Sequence, residues 1–97
     1  DKQHILQLYM PSTPSADPRF NNFVLLQAQN AGLFLGQIPH PSNGEKSVNL
    51  IAAQSVIDSL EMLAIKTTGN LTADEKTLIT KAIDNLNRLY KEAQDIV

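Results

Sequence analysis

Cysteine and tryptophan are both absent from this 97-residue chain, and only five residues are aromatic. Without cysteine the chain has no disulfide framework and no thiolate metal site, and it does not require an oxidising compartment. We therefore expect a cytoplasmic protein. Because its length suits one domain with a modest core, oligomerisation would add to its stability.

The chain also lacks a large net charge of either sign. Eight basic and ten acidic residues leave a net charge of −2, and the basic residues form no stripe. Since binding to nucleic acid requires several positive charges facing phosphates, we expect no nucleic-acid partner.

Residues typical of catalysis or metal binding do not form a recognisable constellation. His4 and His40 are far apart in the sequence, and neither has a second ligand at metal-binding spacing. Asp58 and Glu61 have the i,i+3 spacing of an acidic pair, but no nucleophile or second histidine accompanies them, so we interpret them as part of a polar face. We expect no metal, no cofactor and no enzymatic activity.

One long segment carries no Asp, Glu, Lys or Arg: the twenty-five residues from Phe20 to Gly44. Residues 20–38 of this segment suggest a membrane span, but six amide side chains interrupt their apolar residues, and a spanning helix needs about 20 predominantly apolar residues. We therefore predict no membrane span and no signal peptide. The segment must instead be covered by the rest of the chain, by a second copy or by another partner.

The first 17 residues are predicted to form a separate arm and linker. Large apolar residues occur early in the arm, and a Pro- and Ser-rich run from Pro11 to Pro18 prevents a helix from continuing through it. Residues 18–97 are predicted to form one helical domain. The apolar residues of the arm are Ile5, Leu6, Leu8, Tyr9 and Met10.

The first predicted helix covers residues 18–37, with Asp17 as its N-cap and Pro18 in its first turn. Its apolar residues extend nearly all round the helix, which indicates burial on more than one side. Small residues at four-residue spacing form a lane on which another helix could pack closely. Alternatively, Gly36 ends the helix and Gly32 has no special role. The lane consists of Ala28, Gly32 and Gly36.

Two further helices are predicted over residues 49–67 and 72–95, and Asn49 is the expected N-cap of the first of them. Gly69 suits the left-handed turn between them, and Thr72 and Glu75 have the spacing of a capping box. Apolar residues follow alternating three- and four-residue spacing in both helices. The predicted fold is an all-α three-helix bundle with a C-terminal antiparallel helical hairpin.

Several motifs together resemble a small bacterial family, domain of unknown function 1844. They are Asn22–Leu25, Ala28–Ala31, Phe34–Pro39, Val48–Leu50, Ile57–Leu63 and Lys66–Thr72. The resemblance covers about residues 20–90, and one departure is Thr68, where the family has a basic residue. It implies a bacterial cytoplasmic helical protein and supplies no catalytic residues.

The leading functional hypothesis is a non-enzymatic interaction module that self-associates through its first helix. The alternative is an accessory subunit that packs this helix against a larger assembly, such as a translation-related or other multiprotein complex. An enzyme or ligand-binding protein ranks last. The candidate interface residues are Phe20, Phe23, Val24, Ala28, Ala31, Gly32, Leu35 and Gly36.

Overall fold

A computed structural model describes residues 14–96, and all structural statements below concern this range. It contains three α-helices: α1 (Pro18–Phe34), α2 (Leu50–Lys66) and α3 (Ala73–Ile96). Each helix packs against the other two, so the predicted all-α three-helix bundle is confirmed. The predicted apolar arm, residues 1–10, lies outside the described range.

The predicted N-caps of α1 and α2 are both confirmed. The Asp17 carboxylate accepts a hydrogen bond from the Arg19 backbone N–H at 3.0 Å, and the Asn49 side chain accepts one from the Ala52 N–H at 3.0 Å. The Arg19 guanidinium also binds the Asp17 carboxylate at 2.7 Å. The hydrogen bonds that Arg19 donates, chiefly those from its side chain, lower the pKa of Asp17 to about 2.

Helix α1 ends at Phe34, three residues earlier than predicted. Gly36 has a φ of +76°, and the N–H groups of Gly36 and Gln37 donate to the Leu33 and Gly32 carbonyls at 3.2 and 2.9 Å. This pattern is a Schellman motif, in which a left-handed glycine closes the helix and satisfies its last carbonyls. The alternative interpretation of Gly36, as the end of the helix, is therefore correct.

The connection between α1 and α2 is held at both of its ends. Leu35 and Val48 form an isolated antiparallel bridge, and the Asn49 N–H donates to the Phe34 carbonyl at 2.7 Å. Between them a turn at residues 41–44 is closed by a 2.7 Å hydrogen bond from the Gly44 N–H to the His40 carbonyl. The bridge brings the start of α2 back to the end of α1.

The core contains residues from all three helices at the spacing expected from the sequence. Each helix contributes a short row of side chains that are at most 4% exposed. Because the members of each row lie three, four or seven positions apart, they fall on one face of each helix. The core residues are Val24, Ala31 and Leu35, then Ala53, Ile57 and Leu60, and finally Ile79, Leu86 and Ala93.

One carboxylate joins the beginnings of two helices. Glu75 completes the predicted capping box of α3: its Oε1 accepts from the Thr72 N–H at 2.9 Å, and its own N–H donates to Thr72 Oγ1 at 3.2 Å. Its Oε2 accepts from the N–H of Asp17, the N-cap of α1, at 2.9 Å. Although Glu75 is only 2% exposed, both of its oxygens therefore have donors. This second contact sets the start of α1 beside the start of α3.

Loss of the Thr72 cap should destabilise the protein. We expect Thr72→Ala to lower the free energy of unfolding by about 1 kcal/mol, the usual effect of removing a threonine N-cap. Thr77→Ala is the matched control, because Thr77 lies on the exposed side of the same helix. Urea unfolding of both variants measures the difference. Equal midpoints for Thr72→Ala and wild type would contradict the role of the cap.

Glu75 should also make stability depend on pH. The Asp17 N–H and then the Thr72 N–H stabilise the carboxylate and lower the pKa of Glu75 below its ordinary value of 4.5, against the opposing effect of burial. Its contribution is therefore complete above the pKa of the unfolded state and is lost as pH falls through the lower folded-state pKa. The Glu75→Gln variant has one acceptor oxygen for two N–H donors, so it should unfold at lower urea concentration at neutral pH. The difference from wild type should shrink as pH falls below 4.5, and a constant difference would contradict this assignment.

Candidate interaction surface

The outer face of α1 is apolar and uncharged. Phe23, Leu25 and Leu26 are 47–55% exposed, although α1 contributes Val24 and Ala31 to the core on its opposite side. The exposed side chains between them, Asn22 and Gln29, are amides. After Arg19 the helix contains no charged residue. We call the five residues Asn22, Phe23, Leu25, Leu26 and Gln29 the α1 outer face.

Of the eight candidate interface residues, only Phe23 is exposed. Four are buried within the same chain, and the remaining three are partly buried. The apolar stripe of α1 that the sequence singled out is therefore largely the side that faces the chain's own core. The buried four are Val24, Ala31, Gly32 and Leu35, and the partly buried three are Phe20, Ala28 and Gly36.

The small-residue lane has neighbours within the chain. A Cβ added to Gly32 would lie 3.3 Å from Ile38 Cδ1, and one added to Gly36 would lie 3.1 Å from Val48 Cγ2. Both neighbours belong to the connection between α1 and α2. Since α1 ends at Phe34, Gly36 is not part of a helical surface at all. Close packing of the connection thus accounts for the small residues at these two positions.

A second exposed apolar surface lies on α2, and it was not predicted. Ile51 is 86% exposed, Ile65 is 72% exposed and Met62 is 52% exposed. Together with Ser55 and Asp58, they repeat at spacings of 4, 3, 4 and 3 residues and so form one line along the helix. We call these five residues the α2 stripe. The same spacing was visible in the sequence, but the inner row of α2 already satisfied the expected pattern.

The α2 stripe borders a shallow groove between α2 and α3. Ile51, Asp58 and Met62 line one wall of the groove, and Tyr90 of α3 contributes to the other. Asp58 accepts a hydrogen bond from Gln54 Nε2 at 2.8 Å. The groove therefore combines apolar contacts with one carboxylate near its middle.

No reactive arrangement accompanies these surfaces within residues 14–96. No three His, Asp or Glu residues of this range group together as metal ligands. Asp58 and Glu61 are both exposed, and the His40 ring lies 3.2 Å from Ser42 Oγ in the connecting turn. None of the three described helices is long and apolar enough to cross a membrane. The α1 outer face in particular offers only apolar and amide contacts.

These features define a small all-α protein with two exposed apolar surfaces. The sequence profile of a family described as a domain of unknown function (DUF1844) matches residues 17–92. Because the match includes most of the chain, the protein belongs to this family, and the resemblance found in the sequence is confirmed. Searches of curated proteins and of solved structures found no match.

The two left-handed glycines of the connection provide a test of its packing. Gly36 and Gly44 have φ values of +76° and +71°, but an added Cβ would contact Val48 only at Gly36 and would meet nothing within 4 Å at Gly44. Both alanine variants should lose about 1–2 kcal/mol from left-handed strain. Gly36→Ala should be the less stable of the two by urea unfolding, and equal losses would show that the contact with Val48 has no effect.

Proposed function

We propose that this protein is a non-enzymatic, cytoplasmic bacterial interaction module that self-associates through the α1 outer face. One observation carries the proposal: Phe23, Leu25 and Leu26 are about half exposed on a helix that has no charged side chain after its first turn. Burying such side chains against an apolar surface is favourable. The first helix thus remains the proposed interface, but through its outer side.

The absence of charge favours a second copy as the partner. A two-fold axis places the same surface patch of each copy against the other, so any charge near the axis meets a like charge. The α1 outer face avoids this repulsion. Its amides, Asn22 and Gln29, can each donate and accept hydrogen bonds and are therefore complementary to their own copies.

The small size of this surface predicts a reversible association. Three half-exposed apolar side chains per copy form a limited apolar centre, whereas permanent dimers bury larger and more apolar interfaces. We therefore expect a monomer–dimer equilibrium that depends on protein concentration.

The alternative partner is a larger multiprotein assembly onto which the same α1 face packs. Its uncharged side chains would suit an apolar site on another protein as well as a second copy. The two hypotheses differ in one respect that can be measured, which is the mass of the purified chain. The bacterial and cytoplasmic assignments rest on the family resemblance and on the absence of cysteine.

A lysine in the α1 outer face should prevent self-association. In Leu26→Lys two positive charges would approach each other at the interface, while the 53% exposure of Leu26 lets the lysine reach solvent in the folded monomer. Sedimentation velocity over a range of concentrations should show wild type moving towards dimer and Leu26→Lys remaining monomeric.

Ile65→Lys is the matched control, since it also replaces an exposed apolar helical residue by lysine but lies in the α2 stripe. It should associate as wild type does. Wild type that stays monomeric at every concentration would contradict self-association and favour the larger assembly. If dimers are lost in Ile65→Lys and kept in Leu26→Lys, the interface lies on α2, which would contradict the assignment to α1.

A further inference from the structure

The α2 stripe is the most exposed apolar surface of the described residues that the proposed function does not use. Ile51 and Ile65 are more exposed than any large apolar residue of α1 or of the core, and Met62 lies between them on the same line. Ser55 and Asp58 interrupt this line, but three exposed large apolar side chains along one side of a helix exceed the singly scattered apolar residues that are normal on a monomer surface. The question is therefore what covers this stripe.

A second copy fits the α2 stripe poorly. Asp58 lies at the centre of the stripe, seven residues from both Ile51 and Ile65. If two stripes pair about a two-fold axis, in either the parallel or the antiparallel direction, Asp58 faces its own copy at the centre. Two carboxylates brought together among apolar side chains repel each other. The occupant should therefore be apolar and free of negative charge.

A segment of this composition is attached close to the stripe. Among the residues that precede the described range are the five large apolar residues of the arm, Ile5, Leu6, Leu8, Tyr9 and Met10. Residues 2–16 contain no Asp or Glu and one basic residue, Lys2. This segment would not repel Asp58 as a second copy would.

The described chain begins at the correct end of α2 for such a contact. Pro14 lines a surface depression together with Thr67 and Asn70, which follow the C-terminal end of α2. The hydrogen bond from the Asp17 N–H to Glu75 holds the chain at this place. Ile65, the nearest apolar member of the stripe, is two residues before Thr67.

The arm is long enough to reach along the α2 stripe. The fourteen-residue spacing from Ile51 to Ile65 corresponds to about 21 Å along a helix. An extended chain covers at most about 3.3–3.6 Å per residue, so the four residues from Met10 to Pro14 can bridge roughly 13 Å and residues 5–10 a further 17 Å or so. The apolar residues of the arm can therefore reach the whole stripe.

We propose that the apolar residues of the arm, Ile5 to Met10, pack on the α2 stripe of the same chain. The contact would cover Ile65 and Met62 first, because they are nearest to Pro14. It would leave the α1 outer face free for a second copy. The proposal thus assigns the two exposed surfaces to two different occupants.

Pairs of introduced cysteines test this assignment, because the natural chain contains none that would interfere. The test pair is Gln7→Cys with Ser55→Cys in the α2 stripe, and the control pair is Gln7→Cys with Gln29→Cys in the α1 outer face. Ser55 is twelve residues from Thr67 along α2, and Gln29 is twelve residues from Asp17 along α1. Since α1 begins and α2 ends at the side of the bundle where Pro14 lies, the tether from residue 14 to residue 7 offers similar reach to both positions.

All variants carry Leu26→Lys, so that pairing between copies does not cover Gln29. The rate of intrachain disulfide formation under mild oxidation is followed by mass spectrometry of the full chain. Docking raises the effective concentration of one cysteine near the other, so the test pair should react about tenfold faster than the control pair. Ile65→Ser, added to the test pair, should reduce this advantage, because it removes an apolar contact without adding charge.

Equal rates for the two pairs, or a faster control pair, would overturn the proposal by showing that the arm has no preference for α2. A single Ser55→Cys variant that forms interchain disulfides faster than the test pair forms intrachain ones would also overturn it, since a second copy would then cover the stripe. Neither result depends on whether wild type self-associates through α1, because the Leu26→Lys background separates the two surfaces.

Discussion

The arrangement of the bundle depends on the hydrogen bonds of the Glu75 carboxylate. Its two oxygens accept from the Thr72 and Asp17 N–H groups, so one side chain satisfies the first turn of α3 and fixes the start of α1 beside it. At the opposite end of α1, the bridge between Leu35 and Val48 returns the chain to begin α2. The consequence is an up-down-up bundle in which the first helix, uncharged after Arg19, buries one side and exposes the other. The same contact places Pro14 near the end of α2.

The sequence was sufficient to predict the helices and their N-terminal boundaries. A cap depends on a side chain and a backbone N–H group two or three residues away. Local sequence was therefore enough to predict the capping roles of Asp17, Asn49, Thr72 and Glu75. The inner rows of the helices were also predictable, because their spacing alone places them on one face. The contact between Glu75 and Asp17 could not be predicted, because it joins residues that are 58 positions apart. In addition, the capping box alone already accounted for a glutamate at position 75.

The candidate surface was harder to predict, for two physical reasons. Small residues are compatible both with a helix crossing and with a close-packed connection, and only the positions of Ile38 and Val48 show that the second applies to Gly32 and Gly36. In addition, a helix that is apolar nearly all round does not reveal which side faces the core. For this reason the interface candidates predicted from the sequence included Val24, Ala31 and Leu35, which are buried. Leu25 and Leu26 are the exposed side chains. The α2 stripe was missed because apolar residues on opposite sides of one helix look like a single broad pattern.

The two exposed apolar surfaces differ in charge, and this difference underlies the proposed assignments. The α1 outer face is uncharged and is proposed to pair with its own copy. The α2 stripe has Asp58 at its centre and is proposed not to.

The most direct measurement is an isotope-filtered nuclear Overhauser experiment on an equal mixture of labelled and unlabelled protein, which detects only contacts between copies. The account predicts intermolecular signals that connect the Leu25 and Leu26 methyl groups with the Phe23 ring. Intermolecular signals from the Ile51 and Ile65 methyl groups, with none from α1, would contradict it.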